Sequence, residues 1–169
     1  MAGKLVKVNS VTSDGTATSL QVTGINSDHV YMAVSNLLQT QNNNEVINLR
    51  VTKGGTEDST SNYDYAGRIQ SSVAFSNSYA ANQTSIQYHA NVDDANGGGQ
   101  GILYLYNFNS SSEFTFLTYE TVQAVSNQEA GSSNSACHTV ASASDGIKIF
   151  GASGGTFISG ANITLYKIL

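Results

Sequence analysis

The spacing of the apolar residues constrains the fold of this chain more than any other feature. In most apolar segments they recur at every second position or form short runs, as in Leu20–Val22, 29–34, Ile47–Val51 and Ile102–Tyr106. Successive side chains of a β-strand point to opposite faces of a sheet, so this spacing predicts half-buried strands. The runs are rich in β-branched and aromatic residues, which favour strands over helices.

Clusters of Gly, Asn and Asp separate the apolar runs and predict tight turns, because these residues tolerate a positive φ angle. Asp145–Gly146 lies between two predicted strands and is typical of a hairpin turn. The window Thr121–Ala130 would also allow a helical turn. Elsewhere the spacing predicts about eight to ten short strands and no long helix. We therefore predict one all-β domain over residues 1–169, a single antiparallel β-sandwich of jelly-roll type.

The same alternation predicts which side chains form the core of the sandwich. We expect apolar residues from the strand centres to face inward, between the two sheets. The predicted core is Leu20, Val22, Val30, Met32, Val34, Ile47, Leu49, Leu103, Leu105, Phe116, Ile149, Leu165 and Ile168.

Charged residues make up only 11% of the chain, and seven Lys and Arg against twelve Asp and Glu give a net charge of −5. A basic patch for nucleic acid or for an anionic membrane is therefore not expected. The N-terminal Lys4 and Lys7 are not followed by the apolar stretch of a signal peptide, so we expect folding in the cytoplasm. Exposed strands with few charges favour assembly with other copies or another protein.

The histidines and the cysteine do not have the spacing of a metal site. His29 and His89 stand alone, and Cys137 and His138 are adjacent, so they point to opposite faces of a strand. A Cys–His nucleophilic pair would require His29 or His89 to approach Cys137 in the fold. We predict structural roles for all four residues, with no metal and no cofactor.

One loop has the composition of a calcium site. Asp93, Asp94 and Asn96 could supply oxygen ligands to Ca²⁺, although a polar turn explains the same residues. The Gly97–Gly101 segment that follows is not a phosphate-binding loop, because a strand and not a helix comes after it. We predict a mobile loop there.

No pattern of catalytic residues is present, and we predict that the protein is not an enzyme. Five glutamates could in principle provide the two carboxylates of a glycosidase, but the sequence does not pair them. A glycan-binding or glycan-cleaving adhesin is therefore the alternative. The glutamates are Glu45, Glu57, Glu113, Glu120 and Glu129.

Three stretches resemble a family of small virion structural proteins of tailed phages, common in marine and cyanobacterial phages. They are the C-terminal Gly155–Ile168, the strand Ile47–Val51 with the later Asn62–Tyr65, and the strand Ile102–Phe108. The resemblance extends over roughly Val8 to Ile168. It implies a jelly roll displayed on a virion and carries no catalytic residues.

The family resemblance suggests a capsid decoration, or cement, protein. Its partners would be the major capsid protein and further copies of itself, most simply in a homotrimer, and not nucleic acid or a membrane. It would be made in the host bacterial cytoplasm and reside on the virion surface. A tail-fibre or tail-associated adhesin that binds host glycans is the alternative.

Overall fold

The computed structural model describes residues 3–92, 98–125 and 128–169, and within them every regular element is a β-strand. The strands are β1 Leu5–Thr12, β2 Ser19–Thr23, β3 Tyr31–Leu38, β4 Glu45–Lys53, β5 Thr56–Glu57, β6 Tyr63–Ser71, β7 Phe75–Gln83, β8 Ile86–Val92, β9 Gly99–Tyr106, β10 Thr115–Val125, β11 Gln128–His138, β12 Gly146–Gly151 and β13 Asn162–Ile168. Across these residues there is no helix that could span a membrane.

The strands form two antiparallel sheets. The larger has the order β1-β13-β3-β9-β10-β11-β6-β7, and the smaller has the order β2-β12-β4-β5, with β8 also paired to β4. The four strands β1-β13-β3-β9 and the four strands β2-β12-β4-β8 give the connectivity of an eight-stranded jelly roll. The prediction of an all-β sandwich of this type is confirmed.

Two hairpins enlarge one sheet beyond the eight-stranded framework. β6 and β7 lie between β4 and β8 in the chain, and β10 and β11 lie between β9 and β12. β10 pairs with β9, β11 pairs with β10, and β6 pairs with β11, so the larger sheet gains four strands on one side. β7 is the last strand on that side and β1 the last on the other.

Buried residues of both sheets pack into one core. Most of the predicted core is confirmed: Leu20, Val22, Ile47, Leu49, Leu103, Leu105, Ile149 and Leu165 are each at most 1% exposed. Five predicted members are wrong, because Val30, Met32, Val34, Phe116 and Ile168 are half-buried or exposed.

The errors arise in uninterrupted apolar runs, where the sequence does not show which of two neighbours faces inward. In β3 the inward residues are Tyr31 and Ala33, which are fully buried, and not Met32 or Val34. In β10 the inward residue is Leu117 and not Phe116. A shift of one position exchanges the two faces of a strand, so each such error moves a side chain to the opposite face.

One local prediction is also wrong. Asp145–Gly146 is not a hairpin turn, because β12 pairs with β2 and β4 instead of the strand before it. The Asp145 carboxylate accepts hydrogen bonds from Thr52 Oγ1 at 2.7 Å and from the Gly55 N–H at 2.9 Å, and so connects the start of β12 to the β4–β5 turn. The described part of the window 121–130 continues β10 and β11 and contains no helical turn.

Candidate binding face

The face of the larger sheet that points away from the core, here called the outer face, is built from aligned rows of side chains. Each row takes one residue from each strand, because the eight strands pair side by side, with a register shift on β1 between Lys7 and Asn9. One row consists of Lys7, Tyr166, Met32, Tyr104, Thr118, Ser135, Ala66 and Tyr79. The next consists of Ser10, Thr164, Val34, Ile102, Glu120, Ser133, Arg68 and Asn77.

Large apolar side chains are concentrated on this outer face. Besides Leu5 on β1, six of the ten large hydrophobic residues that are exposed in the described part of the chain lie there, and the neighbours of those on β9 and β10 are buried in the core. The exposed fraction is 45% for Phe116 and 78% for Tyr79, so these rings are largely in contact with solvent. A cluster of this kind is typical of an interaction surface. The six are Phe75, Tyr79, Ile102, Tyr104, Phe116 and Val122.

The outer face also carries charged side chains, among them Arg68 and Glu120. Arg68 and Glu120 belong to the same row but lie on β6 and β10, with β11 between them. Two strand spacings separate their backbones by roughly 10 Å. Neither side chain forms an ion pair or hydrogen bond within residues 3–92, 98–125 and 128–169. Both charges are therefore available to a partner.

A hollow of about 430 Å³ lies among these side chains. The aromatic ring of Tyr104 and the apolar Ile102 line one part of it, and Glu120 and Ser133 contribute a carboxylate and a hydroxyl. An apolar wall with a few polar groups is the usual composition of a ligand site.

His89 and His138 are both buried, and each lies beside one polar side chain. His89 is 1% exposed, and its Nδ1 lies 2.8 Å from Gln123 Oε1. Burial lowers the pKa of His89 to about 4, against a smaller opposing effect of the Gln123 hydrogen bond. His138 is buried with its Nε2 2.7 Å from Asp58 Oδ2.

Asp58 was not among the residues singled out from the sequence, although it closes a polar cluster. Burial opposes its charge, but hydrogen bonds from Thr60 and His138 outweigh this effect and lower the pKa of Asp58 to about 2. The short Asp–x–Thr spacing is the signal that could have identified it, because such residues form local side-chain turns. The cluster borders a hollow of about 370 Å³ into which Ser144 also projects.

Cys137 and His138 point to opposite faces, as predicted. Cys137 is partly exposed on the outer face beside Asp64, whereas His138 faces the core. Burial, and secondarily the Asp64 carboxylate, raise the pKa of the Cys137 thiol. A raised pKa disfavours the thiolate that nucleophilic catalysis requires.

Two of the five glutamates form hydrogen bonds or ion pairs with other residues of the chain. Glu45 is buried and accepts hydrogen bonds from Asn42 and from the Ser153 N–H. Glu57 forms ion pairs of 2.9 Å with Arg50 and 2.8 Å with Lys148. In the described part of the chain, no group of three or more His, Cys, Asp or Glu side chains has the arrangement of a metal site.

The proposed calcium ligands Asp93, Asp94 and Asn96 lie outside the described residues, as does Gly97. The prediction of a mobile loop is wrong for Gly99 and Gly101, which begin β9. A Cβ atom at Gly99 would lie 2.7 Å from the His89 ring, and one at Gly101 would lie 2.2 Å from the Tyr88 hydroxyl. These glycines allow β9 to pack closely against the side chains of β8.

No known protein family matches the chain, and no curated protein sequence is significantly similar to it.

Proposed function

We propose that the protein is a virion structural protein, a capsid decoration protein that binds the outer surface of a major capsid lattice through its outer face. The observation that carries the proposal is the concentration of exposed Ile102, Tyr104, Phe116 and Val122 on β9 and β10. Burying such side chains against a partner is favourable by about 25 cal/mol for each Å² of apolar surface removed from water. The resemblance to small phage virion proteins supplies the identity of that partner.

The surface chemistry supports dense packing on a lattice. With 11% charged residues, neighbouring copies experience little like-charge repulsion. Uncharged Ser, Thr and Asn side chains on the same face, among them Thr118 and Ser133, can form neutral hydrogen bonds with a capsid subunit. The copies would be made in the host cytoplasm and assemble on the virion as homotrimers, without nucleic acid, membrane, metal or cofactor.

Copy number tests this proposal. Quantitative mass spectrometry of purified virions should find the chain at a number comparable to that of the major capsid protein. A number close to that of tail components would contradict a role in decoration. It would instead assign the protein to the tail.

A paired set of variants tests the outer face itself. Phe116→Asp together with Ile102→Asp should abolish binding to capsids that lack the protein, because a charge in a buried contact is left unpaired. Val73→Asp is the matched control, since Val73 is 71% exposed in the β6–β7 turn and lies outside the outer-face rows. Equal capsid binding by all variants would show that another surface makes the contact.

The second candidate is an adhesin that binds host glycans without cleaving them. The hollow lined by Tyr104, Glu120 and Ser133 favours it, because an aromatic ring can stack on the apolar face of a sugar while the polar groups form hydrogen bonds with its hydroxyls. Purified protein incubated with host polysaccharide should then retain it, and Tyr104→Ala should weaken the retention. Release of oligosaccharides would identify an enzyme instead.

A further inference from the structure

One free edge of the larger sheet is formed by β7, whose irregularity lies beyond Ala80 and whose segment 75–79 lacks the features that normally prevent edge pairing. Among its nine residues, Phe75–Gln83, there is no charged residue and no proline. The opposite edge, β1, carries Lys7 and an irregular register between Lys7 and Asn9. Charges and bulges are the usual protection of an edge strand, so β1 is protected and β7 is open.

The hydrogen bonds of the β6–β7 hairpin show which backbone groups of β7 are free. The Ser71 N–H donates to the Ala74 carbonyl at 2.9 Å, so Ser71 and Ala74 form a hydrogen-bonded pair of the antiparallel ladder. Hydrogen-bonded and non-hydrogen-bonded residue pairs alternate along two antiparallel strands. Phe75, Asn77 and Tyr79 therefore direct their N–H and C=O groups toward the open edge.

The other side of β6 gives the same result independently. The Asn62 carbonyl accepts from the Thr139 N–H at 2.8 Å, and the Ser72 N–H donates to the Glu129 carbonyl at 3.4 Å. The even-numbered residues of β6, like the flanking residues 62 and 72, thus direct their backbone N–H and C=O groups toward β11. The odd-numbered residues of β6 face β7 and pair with its even-numbered residues, such as Ser76 and Ser78.

We propose that β7 pairs in antiparallel fashion with β7 of a second copy of this chain, about a two-fold axis at Asn77. In that register Asn77 lies opposite Asn77 of the other copy, and Phe75 lies opposite Tyr79. All three outward-facing residues then exchange backbone hydrogen bonds, roughly six in total. The register irregularity between β6 and β7 involves only residues beyond Ala80, so the segment 75–79 is regular.

The side chains favour the same register. Phe75 and Tyr79 are 74% and 78% exposed and both lie on the outer face. Opposite each other across the two-fold axis, they form two aromatic cross-strand pairs, which are among the favourable pairings in sheets. The contact is self-complementary, as a two-fold interface requires. It joins the larger sheets of two copies into one continuous sheet.

This contact uses β7 at the edge of the outer face, whereas the proposed capsid contact centres on β9 and β10, and it is compatible with a trimer formed elsewhere on the surface. A trimer alone has an odd number of chains, whereas the two-fold contact joins two monomers into a dimer, or two trimers into a hexamer when its axis crosses the three-fold axis at a right angle. Multi-angle light scattering should therefore give a mass that is an even multiple of 17.8 kDa. Asn77→Pro should halve that mass, because it removes an N–H at the open edge without removing a bond to β6.

Two further variants guard against simple misfolding. Phe75→Lys combined with Tyr79→Lys should also halve the mass while the circular dichroism spectrum stays unchanged. Val73→Lys, in the adjacent turn, should leave the mass unaltered. A monomer or a trimer for the unmodified protein across a wide range of concentrations would overturn the proposal. The proposal would also be overturned if the folded variant with both lysine substitutions kept the mass of the unmodified assembly.

Crosslinking tests the register. In a Cys137→Ser background, Asn77→Cys should form a disulfide between copies, because opposite Cα atoms about 5.5 Å apart fall within disulfide range. Phe75→Cys is the matched control and should not crosslink, since its counterpart in the other copy lies several residues away along the strand. Crosslinking through position 75 and not 77 would refute the axis at Asn77.

Discussion

At the scale of single residues, His89 couples stability to pH. The pKa of His89 is 6.5 for the free side chain and about 4 in the fold, mainly because burial disfavours the charged ring. Between these values the unfolded chain binds more protons than the folded one. Stability is therefore fully present above pH 6.5 and decreases as the pH falls toward 4.

We expect the free energy of unfolding to fall by at most about 3 kcal/mol across this window. Urea unfolding at a series of pH values measures it. His89→Asn keeps hydrogen-bonding atoms near Gln123 but does not titrate, so its stability should vary less between pH 6.5 and 4. An identical pH dependence in the variant would show that another group is responsible.

Gly101 is a second residue whose role is specific to its position. Gly101→Ala would place a Cβ atom 2.2 Å from the Tyr88 hydroxyl and 3.0 Å from the Glu120 carbonyl. We expect a loss of about 1–3 kcal/mol, the usual cost of overpacking. Gly3→Ala is the control, because its nearest neighbour would be 3.7 Å away, and its unfolding midpoint in urea should not change.

At the scale of elements, the two faces of β9 have different roles, and substitutions at two neighbouring residues can distinguish these roles. Leu103 is fully buried in the core, whereas Ile102 is 43% exposed on the outer face. Leu103→Ala should lower the free energy of unfolding by about 2–5 kcal/mol, since it leaves a cavity between the sheets. Ile102→Ala should cost much less and should instead weaken binding to capsids. Equal losses of stability in the two variants would contradict the assignment of the faces.

At the scale of the whole molecule, the order of the strands makes the last element indispensable. β13 lies between β1 and β3 inside the larger sheet, although it is the final strand of the chain. Removal of residues 162–169 would take away Ile163 and Leu165 from the core and leave both neighbours with unpaired backbone groups. We expect this truncated chain to lose its cooperative thermal transition. Removal of Leu169 alone, which is 54% exposed, should preserve it.

Local patterns in the sequence were sufficient for the fold class and for much of the core. The alternation around Leu103 and Leu105, or Ile47 and Leu49, follows from the period of a strand and does not depend on which strands are neighbours. The opposite orientation of Cys137 and His138 has the same origin. These properties could be predicted because they depend on residues that are adjacent in the chain.

The sequence did not determine the features that depend on distant pairings. The inward choice of Tyr31 and Ala33 over Met32 and Val34 follows from the register with β13 and β9. The Asp58–His138 contact joins residues 80 positions apart. The outer face extends over eight strands only because two separate hairpins add their strands to one sheet, and the open edge exists because β7 is placed last. Such choices are made by cross-strand pairing and burial, so only the tertiary structure decides them.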